Sequence, residues 1–304
     1  MAVITTYDDG NRLEDVMGAV FQLSPTDTPF TSGMAKTKAH NTIHQWPEDT
    51  LAARGDNAIA EGAAISYGTV TAPGRVVNLT QIYAKTFQVS STEKWVKGAG
   101  VDDQYQYQKT KALLELANDI EHGFIRGSLA SGNGSGTARR MAGALNFITT
   151  NATSVASETK LTESFFNGLG ELIYAQGSKP DEVYVGARLK RIISTFTASG
   201  ERQTSVDDKR LVNAVDVYES DFGIVKILLS RDQLNSATFQ GNSLLMIKSS
   251  QFKMAVGEPI HVLPDTEVAQ DKHGKNGVVR GELTLEVLGE RHGAKALNLS
   301  GNFN

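Results

Sequence analysis

The period of the hydrophobic positions changes several times along this chain, and each change marks an element. Between Asp102 and Leu129, the residues Leu113, Leu116, Ala117, Ile120 and Phe124 recur at helical spacing. They predict a helix about 42 Å long at ~1.5 Å per residue. Asp102 and Asp103 sit where acids favour the positive end of the helix dipole. The apolar stripe is narrow, so one face packs and the other stays free. A second helix is predicted over "LTESFFNGLGELIYAQG", capped by Thr162 and stopped at Gly177. A third covers "ARLKRIISTFTA", with Leu189, Ile192, Ile193 and Phe196 inward.

Other segments alternate with a period of two. "NTIHQWPEDTLA" from Asn41 and "VVNLTQIYAKTFQVSS" from Val76 read as strands. Between them lies a Gly- and Ala-rich loop with few large apolar residues. A two-stranded hairpin alone is marginal in water, so this element makes sense when a neighbouring molecule completes it. "DEVYVG" reads as a strand, and "NAVDVYE" with "GIVKILLS" as a hairpin around "SDF". The closing third, through "SLLMIK", "FKMAVG", "IHVLP", "GELTLEVLG" and "AKALNL", is nearly all strand. Strands and helices mix without regular βαβ alternation, which predicts an α+β fold. The first 40 residues, dense in Ser, Thr, Pro and Gly, read as an arm lying on something else.

Composition narrows the function. With 40% hydrophobic and 21% charged residues among 304, the chain is an ordinary globular protein. Its net charge of −4 argues against a dedicated nucleic-acid binder. It has no cysteine, which excludes disulfides, thiolate nucleophiles and zinc–thiolate sites. The N-terminus lacks a secretory pattern and no apolar run approaches a membrane span, so a soluble protein without membrane contact is expected.

Candidate chemistry is sparse. "ASGNGSGTARR" from Ala130 has the glycines of a phosphate cradle, yet it follows a helix C-terminus instead of a strand. It also lacks the Gly-Lys-Ser/Thr ending, so a plain exit from the long helix is the better reading. His40 and His44 lie in a strand-like stretch, where four positions span roughly 13 Å and forbid one shared metal. His122, His261, His273 and His292 share no ligand spacing. No Gly-x-Ser-x-Gly elbow is present, and adjacent pairs such as Glu48/Asp49 and Asp207/Asp208 would point to opposite faces of a strand. No cofactor, metal or enzymatic activity is expected.

The order arm, long hairpin, long helix, compact α/β insertion and returning strands resembles the major capsid proteins of tailed bacteriophages, built on the Hong Kong 97 fold. Local wording carries the resemblance: "WPEDTL" from Trp46, "EG" at Glu61–Gly62, "NLTQI" from Asn78, "VSST" from Val89, "NDIEHGFI" from Asn118, "ARRMAGALNFI" from Ala138 and "GELTLEVLGER" from Gly281. It covers nearly the whole chain. What it implies is a structural protein with an N-terminal arm at 1–38 and an extended loop at 39–93. A peripheral domain would join 94–130 to 251–304, and an axial domain would span 131–250. The long helix would be the spine of the peripheral domain. The glycines after it would then let the exit to the axial domain bend differently in differently placed subunits.

The resemblance also implies partners. These are copies of the chain in hexamers and pentamers of an icosahedral head, packaged double-stranded DNA in weak non-specific contact, and separate scaffolding, portal and cement proteins. Assembly would take place in the host bacterial cytoplasm. Trp46, Arg54, Glu61 and Arg75 are the expected subunit-interface residues, and Arg126, Arg139 and Arg140 those facing DNA. Many relatives begin with a removable scaffolding segment for which this chain has no room, so a separate scaffold or a processed form is expected. Some members lock subunits with a lysine–asparagine isopeptide bond, but no lysine occurs from Gln45 to Ala84. Non-covalent locking is expected. The alternatives are a bacterial nanocompartment shell of the same fold and, from another class, a soluble hydrolase.

Overall fold

The computed structural model describes residues 27–64, 68, 70–96, 103–132, 136–196, 216–233, 242–263 and 273–300. The first 26 residues of the expected arm, together with Asp102, Asp207 and Asp208, lie outside these.

In chain order the elements are α1 (Pro29–Gly33), β1 (Ala35–Lys38), β2 (Ile43–Glu48), β3 (Gly74–Leu79), β4 (Gln81–Ser90), α2 (Ser91–Trp95), α3 (Gln104–Arg126) and α4 (Ala144–Phe147). They continue as β5 (Ala152–Lys160), α5 (Glu163–Ala175), β6 (Glu182–Val185), α6 (Ala187–Phe196), β7 (Val217–Ser220), β8 (Gly223–Leu229), β9 (Asn242–Ile247), β10 (Phe252–Val262), β11 (Gly274–Val287) and β12 (Gly293–Ser300). Among the described residues these form three sheets, in the orders β1-β10-β11-β4, β5-β12-β9-β6-β8-β7 and β2-β3. The α+β class read from the sequence is what the chain adopts.

The predicted helices form where their stripes put them. The Oγ1 of Thr162 accepts from the N–H of Phe165 at 3.2 Å and starts α5, and Gly177 takes the φ of +89° that ends it. Helices α5 and α6 bury Phe166, Leu169, Ile173, Leu189, Ile192 and Ile193 against Val183, Val185, Leu244 and Met246 of the six-stranded sheet. In α3, Asp103 caps through the N–H groups of Tyr105 and Gln106. Its inward stripe runs through Tyr105, Ala112, Leu116, Ile120 and Phe124. Leu113, expected inward, is 37% exposed at the flank of that stripe.

The chain divides into two compact units. One holds 84–116 and 261–280, the other 27–83, 117–260 and 281–304. The first is built around Phe87, whose ring meets Tyr105 at 5.2 Å and leaves Gly277 no room for a Cβ. In the second, the strap preceding β1 is bound into the fold. Phe30 is fully buried, edge-on to Tyr184 at 5.1 Å, and β1 pairs in parallel with β10 from Ala35↔Lys253 to Lys38↔Val256. The carboxylate of Glu121 accepts the N–H groups of Phe30 (2.9 Å) and Thr31 (2.8 Å) and the Thr31 hydroxyl (2.8 Å). Burial pushes the Glu121 pKa up, and those hydrogen bonds oppose the rise. A single large aromatic and one buried acid therefore make residues 27–38 part of the subunit's own fold.

Candidate functional site

The long hairpin divides into two parts. Its foot is β2 paired antiparallel with β3, in register from Ile43↔Leu79 to Glu48↔Gly74. Alternation turns His44, Trp46 and Asn78 inward. The indole N–H of Trp46 donates to the carbonyl of Val287 at 2.8 Å, and its ring stacks on Phe147 at 5.9 Å. His44 Nε2 lies 2.9 Å from Glu286 Oε2. Asn78 is completely buried. Its Nδ2 donates to the carbonyls of Leu285 (2.7 Å) and Ala142 (3.1 Å), and its Oδ1 accepts the Ala142 N–H at 2.9 Å. One amide thus joins the hairpin to β11 and to the segment that follows the glycines.

A second polar group lies just past the foot. Arg139 donates to the carbonyl of Thr80 and to the carboxylate of Glu282, and Glu282 also accepts the Thr80 hydroxyl. The Thr284 hydroxyl donates to Leu79 O at 2.8 Å. Arg139 is therefore a bolt between β3, β4 and β11.

The end of α3 is tied into the same region. Gly143 N–H donates to Gly127 O at 2.8 Å, and a Cβ on Gly143 would lie 2.6 Å from Gly127 N and 2.8 Å from Gly123 O. Only two bare backbones fit so closely. Beyond this knot, Ala130 and Arg140 exchange both backbone hydrogen bonds, at 3.1 and 2.9 Å. The chain leaves at Ala130 and returns at Arg140, with Gly132 at φ +68° and Gly136 at φ +125°. Among the described residues, Gly132 and Gly136 lie within the excursion that this pair closes. The knot of Gly127 and Gly143 is held by close packing.

The tip of the long hairpin, residues 49–73, contrasts with its foot. Its described residues lie outside every helix and strand and are exposed, with Leu51 at 100%, Ile59 at 63% and Val70 at 92%. Arg54, Glu61 and, beside Gly74, Arg75 are also exposed. Among the described residues none of these three has an ion-pair partner in its own chain. Trp46, expected at an interface, is only 5% exposed and is enclosed by its own subunit.

The three arginines expected to face DNA also part company. Arg139 is the bolt described above. Arg126 donates to the carbonyl of Asp232 and, at 3.2 Å, to Ser243 Oγ, and burial lowers its pKa. Arg140 alone of the three is exposed. Sequence reasoning passed over Asn78, Glu282 and the His44–Glu286 pair. The available signal was an asparagine at an inward position of an apolar strand, in "VVNLT".

Among the described residues no helix is long and apolar enough to cross a membrane. What the architecture defines is a class, the Hong Kong 97-type capsid proteins. A solved structure from Mycobacterium phage Ogopogo superposes with a TM-score of 0.66 at 15% identity, covering 97% of this chain and 99% of that one. The capsid of Myoviridae phage XM1 gives 0.63 at 14%, covering 98% and 99%. The holo-SrpI encapsulin complex from Synechococcus elongatus PCC 7942 gives 0.58 at 12%, covering 93% of each. Within that class, the chain belongs to the SU10 major capsid protein family, whose model matches residues 3–300. A major capsid protein of Escherichia phage Phieco32 is 31% identical over 126 residues, 41% of this chain and 36% of that protein. Family membership gives the chain the structural role of a capsid protein.

Proposed function

We propose that this chain is the repeating subunit of an icosahedral phage head that encloses double-stranded DNA, with hexamers and pentamers as its capsomers. The observation that carries this reading is the hairpin whose foot is fixed inside the subunit while its tip offers Leu51, Ile59 and Val70 to water. An apolar tip held out on a rigid base is suited to a neighbouring copy. In this reading residues 39–93 are the extended loop, 94–130 with 251–304 the peripheral domain, and 131–250 the axial domain. The arm proper would be the part of 1–38 that precedes Phe30. Arg54, Glu61 and Arg75 remain the interface candidates and Arg140 the candidate for DNA. Scaffolding, portal and cement proteins would be separate chains, and assembly would take place in the bacterial cytoplasm.

The test is negative-stain microscopy of the expressed protein with nuclease treatment of particles from infected cells. Closed shells holding nuclease-protected duplex DNA are expected. The encapsulin likeness favours a second reading, a nanocompartment shell; closed shells that hold protein cargo and no DNA would establish that one. Shell subunits should separate on a denaturing gel into one band near 32.7 kDa, because the chain has no cysteine and its loop from Gln45 to Ala84 no lysine. A ladder of covalent multimers would overturn the non-covalent lock.

A further inference from the structure

Several charges in the second unit are matched and two clusters of them are not. The matched ones include Lys190 with Asp216 at 2.6 Å, Lys248 with Asp181 at 2.9 Å, and Arg139 with Glu282. The end of β2 and the first half of the hairpin tip carry Glu48, Asp49, Asp56 and Glu61 against one cation, Arg54. Asp49 and Asp56 accept backbone N–H groups of their own loop, from Thr50 at 2.9 Å and Ala58 at 3.0 Å. None of the four acids has an ion pair among the described residues. The second set is on β1, where Lys36 and Lys38 are exposed and likewise unpaired.

Geometry makes the lysines a usable row. Two residues apart on a strand, they share one face with their Cα atoms roughly 7 Å apart. Among the described residues β1 is the edge of its sheet, bonded to β10 on one side only. Lysines there discourage another strand from pairing with the open edge, which leaves their ammonium groups as the recognisable feature. Both sets stand on anchored supports, since β1 is in register with β10 and the tip stands on the Trp46–Asn78 foot.

We infer that the acidic tip of one subunit docks on the Lys36–Lys38 row of a neighbouring copy. This rests on the shell reading above and names the surface the loop seeks. The occupant is a second copy because opposite unpaired charges occur on the same chain, at places that do not satisfy each other within it. Such complementarity sets register and excludes wrong partners more than it adds affinity. Charges of this kind are screened beyond ~8 Å at physiological salt, so the groups must come nearly into contact.

The test is a charge swap in the full chain. One variant carries Lys36→Glu and Lys38→Glu, a second carries Asp49→Lys, Asp56→Lys and Glu61→Lys, and a third carries all five. All five side chains are exposed, so circular-dichroism melting of each unassembled variant should match wild type. The first two should lower the yield of closed shells by at least about tenfold, because like charges then meet across the contact. The third should restore it. Normal yields from the first two, or failure of the third to recover, would overturn the pairing while wild-type shells leave the capsid reading intact. Shells that form normally with the lysines reversed but no longer retain duplex DNA would assign the row to nucleic acid and overturn it equally. Wild-type protein that forms no shell sinks the capsid reading and this pairing together.

Discussion

The foot and the tip of one hairpin obey opposite rules. At the foot, three inward polar groups have partners from a distant part of the chain: Trp46 with Val287, His44 with Glu286, Asn78 with Ala142 and Leu285. At the tip, apolar side chains and charges alike are left open to water. Burying an indole and an amide with full hydrogen bonding stabilises the subunit by itself. Leaving Leu51 and Val70 exposed does nothing for it. The difference shows where intramolecular folding stops and intermolecular surface begins, a boundary that falls near the Glu48↔Gly74 pair.

The comparison breaks most readily at Trp46. Replacing it by Ala empties a site that is 5% exposed and removes the bond to Val287, and should cost about 4 kcal/mol in urea unfolding of the unassembled subunit. A loss comparable to that of a surface residue would mean the foot is not anchored as described. Asn78→Leu comes next. It keeps the volume roughly constant but strands the Ala142 N–H and the carbonyls of Ala142 and Leu285, so a loss of about 3 kcal/mol is expected by the same measurement. Hydrogen exchange should rise at Ala142 with it.

A smaller effect separates the end of α3 from both. His122 Nδ1 lies 2.8 Å from Asp232, whose hydrogen bond raises the histidine pKa; burial and Arg126 oppose the rise, and Asp119 supports it. A raised histidine pKa gives stability that is fully present below the unfolded value of about 6.5 and is lost as pH climbs through the folded value. The subunit's melting temperature should therefore fall slightly between about pH 6 and pH 8, and that part of the slope should vanish in His122→Gln. The side chain is 63% exposed, which keeps the effect small. An unchanged slope in the variant would remove His122 from the account.

Much of this was legible in the sequence, for identifiable reasons. Helices α5 and α6 and the β7–β8 hairpin carry strong apolar periodicity, and the turn Ser220–Gly223 closes where "SDF" predicted it. β5 was missed because "ATSVASETK" has almost no large apolar residue; it forms by pairing with β12 at the edge of the sheet. β1, "AKTK", is invisible for the same reason. The exposure of the tip could be read, since a stretch with few large apolar residues cannot bury itself. The fate of Trp46 and Arg139 could not. Tryptophan and arginine suit interfaces as well as interiors, and their partners lie 241 and 143 positions away.

The smallest expected effect on the subunit is also the most telling. Trimming residues 54–73 leaves the five residues 49–53 to close the β2–β3 pair, a common hairpin length, and removes nothing the foot depends on. Unfolding of the trimmed subunit should stay within ~0.5 kcal/mol of wild type. Sedimentation and negative-stain microscopy of the same preparations then decide the central claim, that the tip exists for a neighbouring copy. The account predicts closed shells from wild type and only folded, dispersed subunits from the trimmed chain. Regular shells built by the trimmed chain would contradict it.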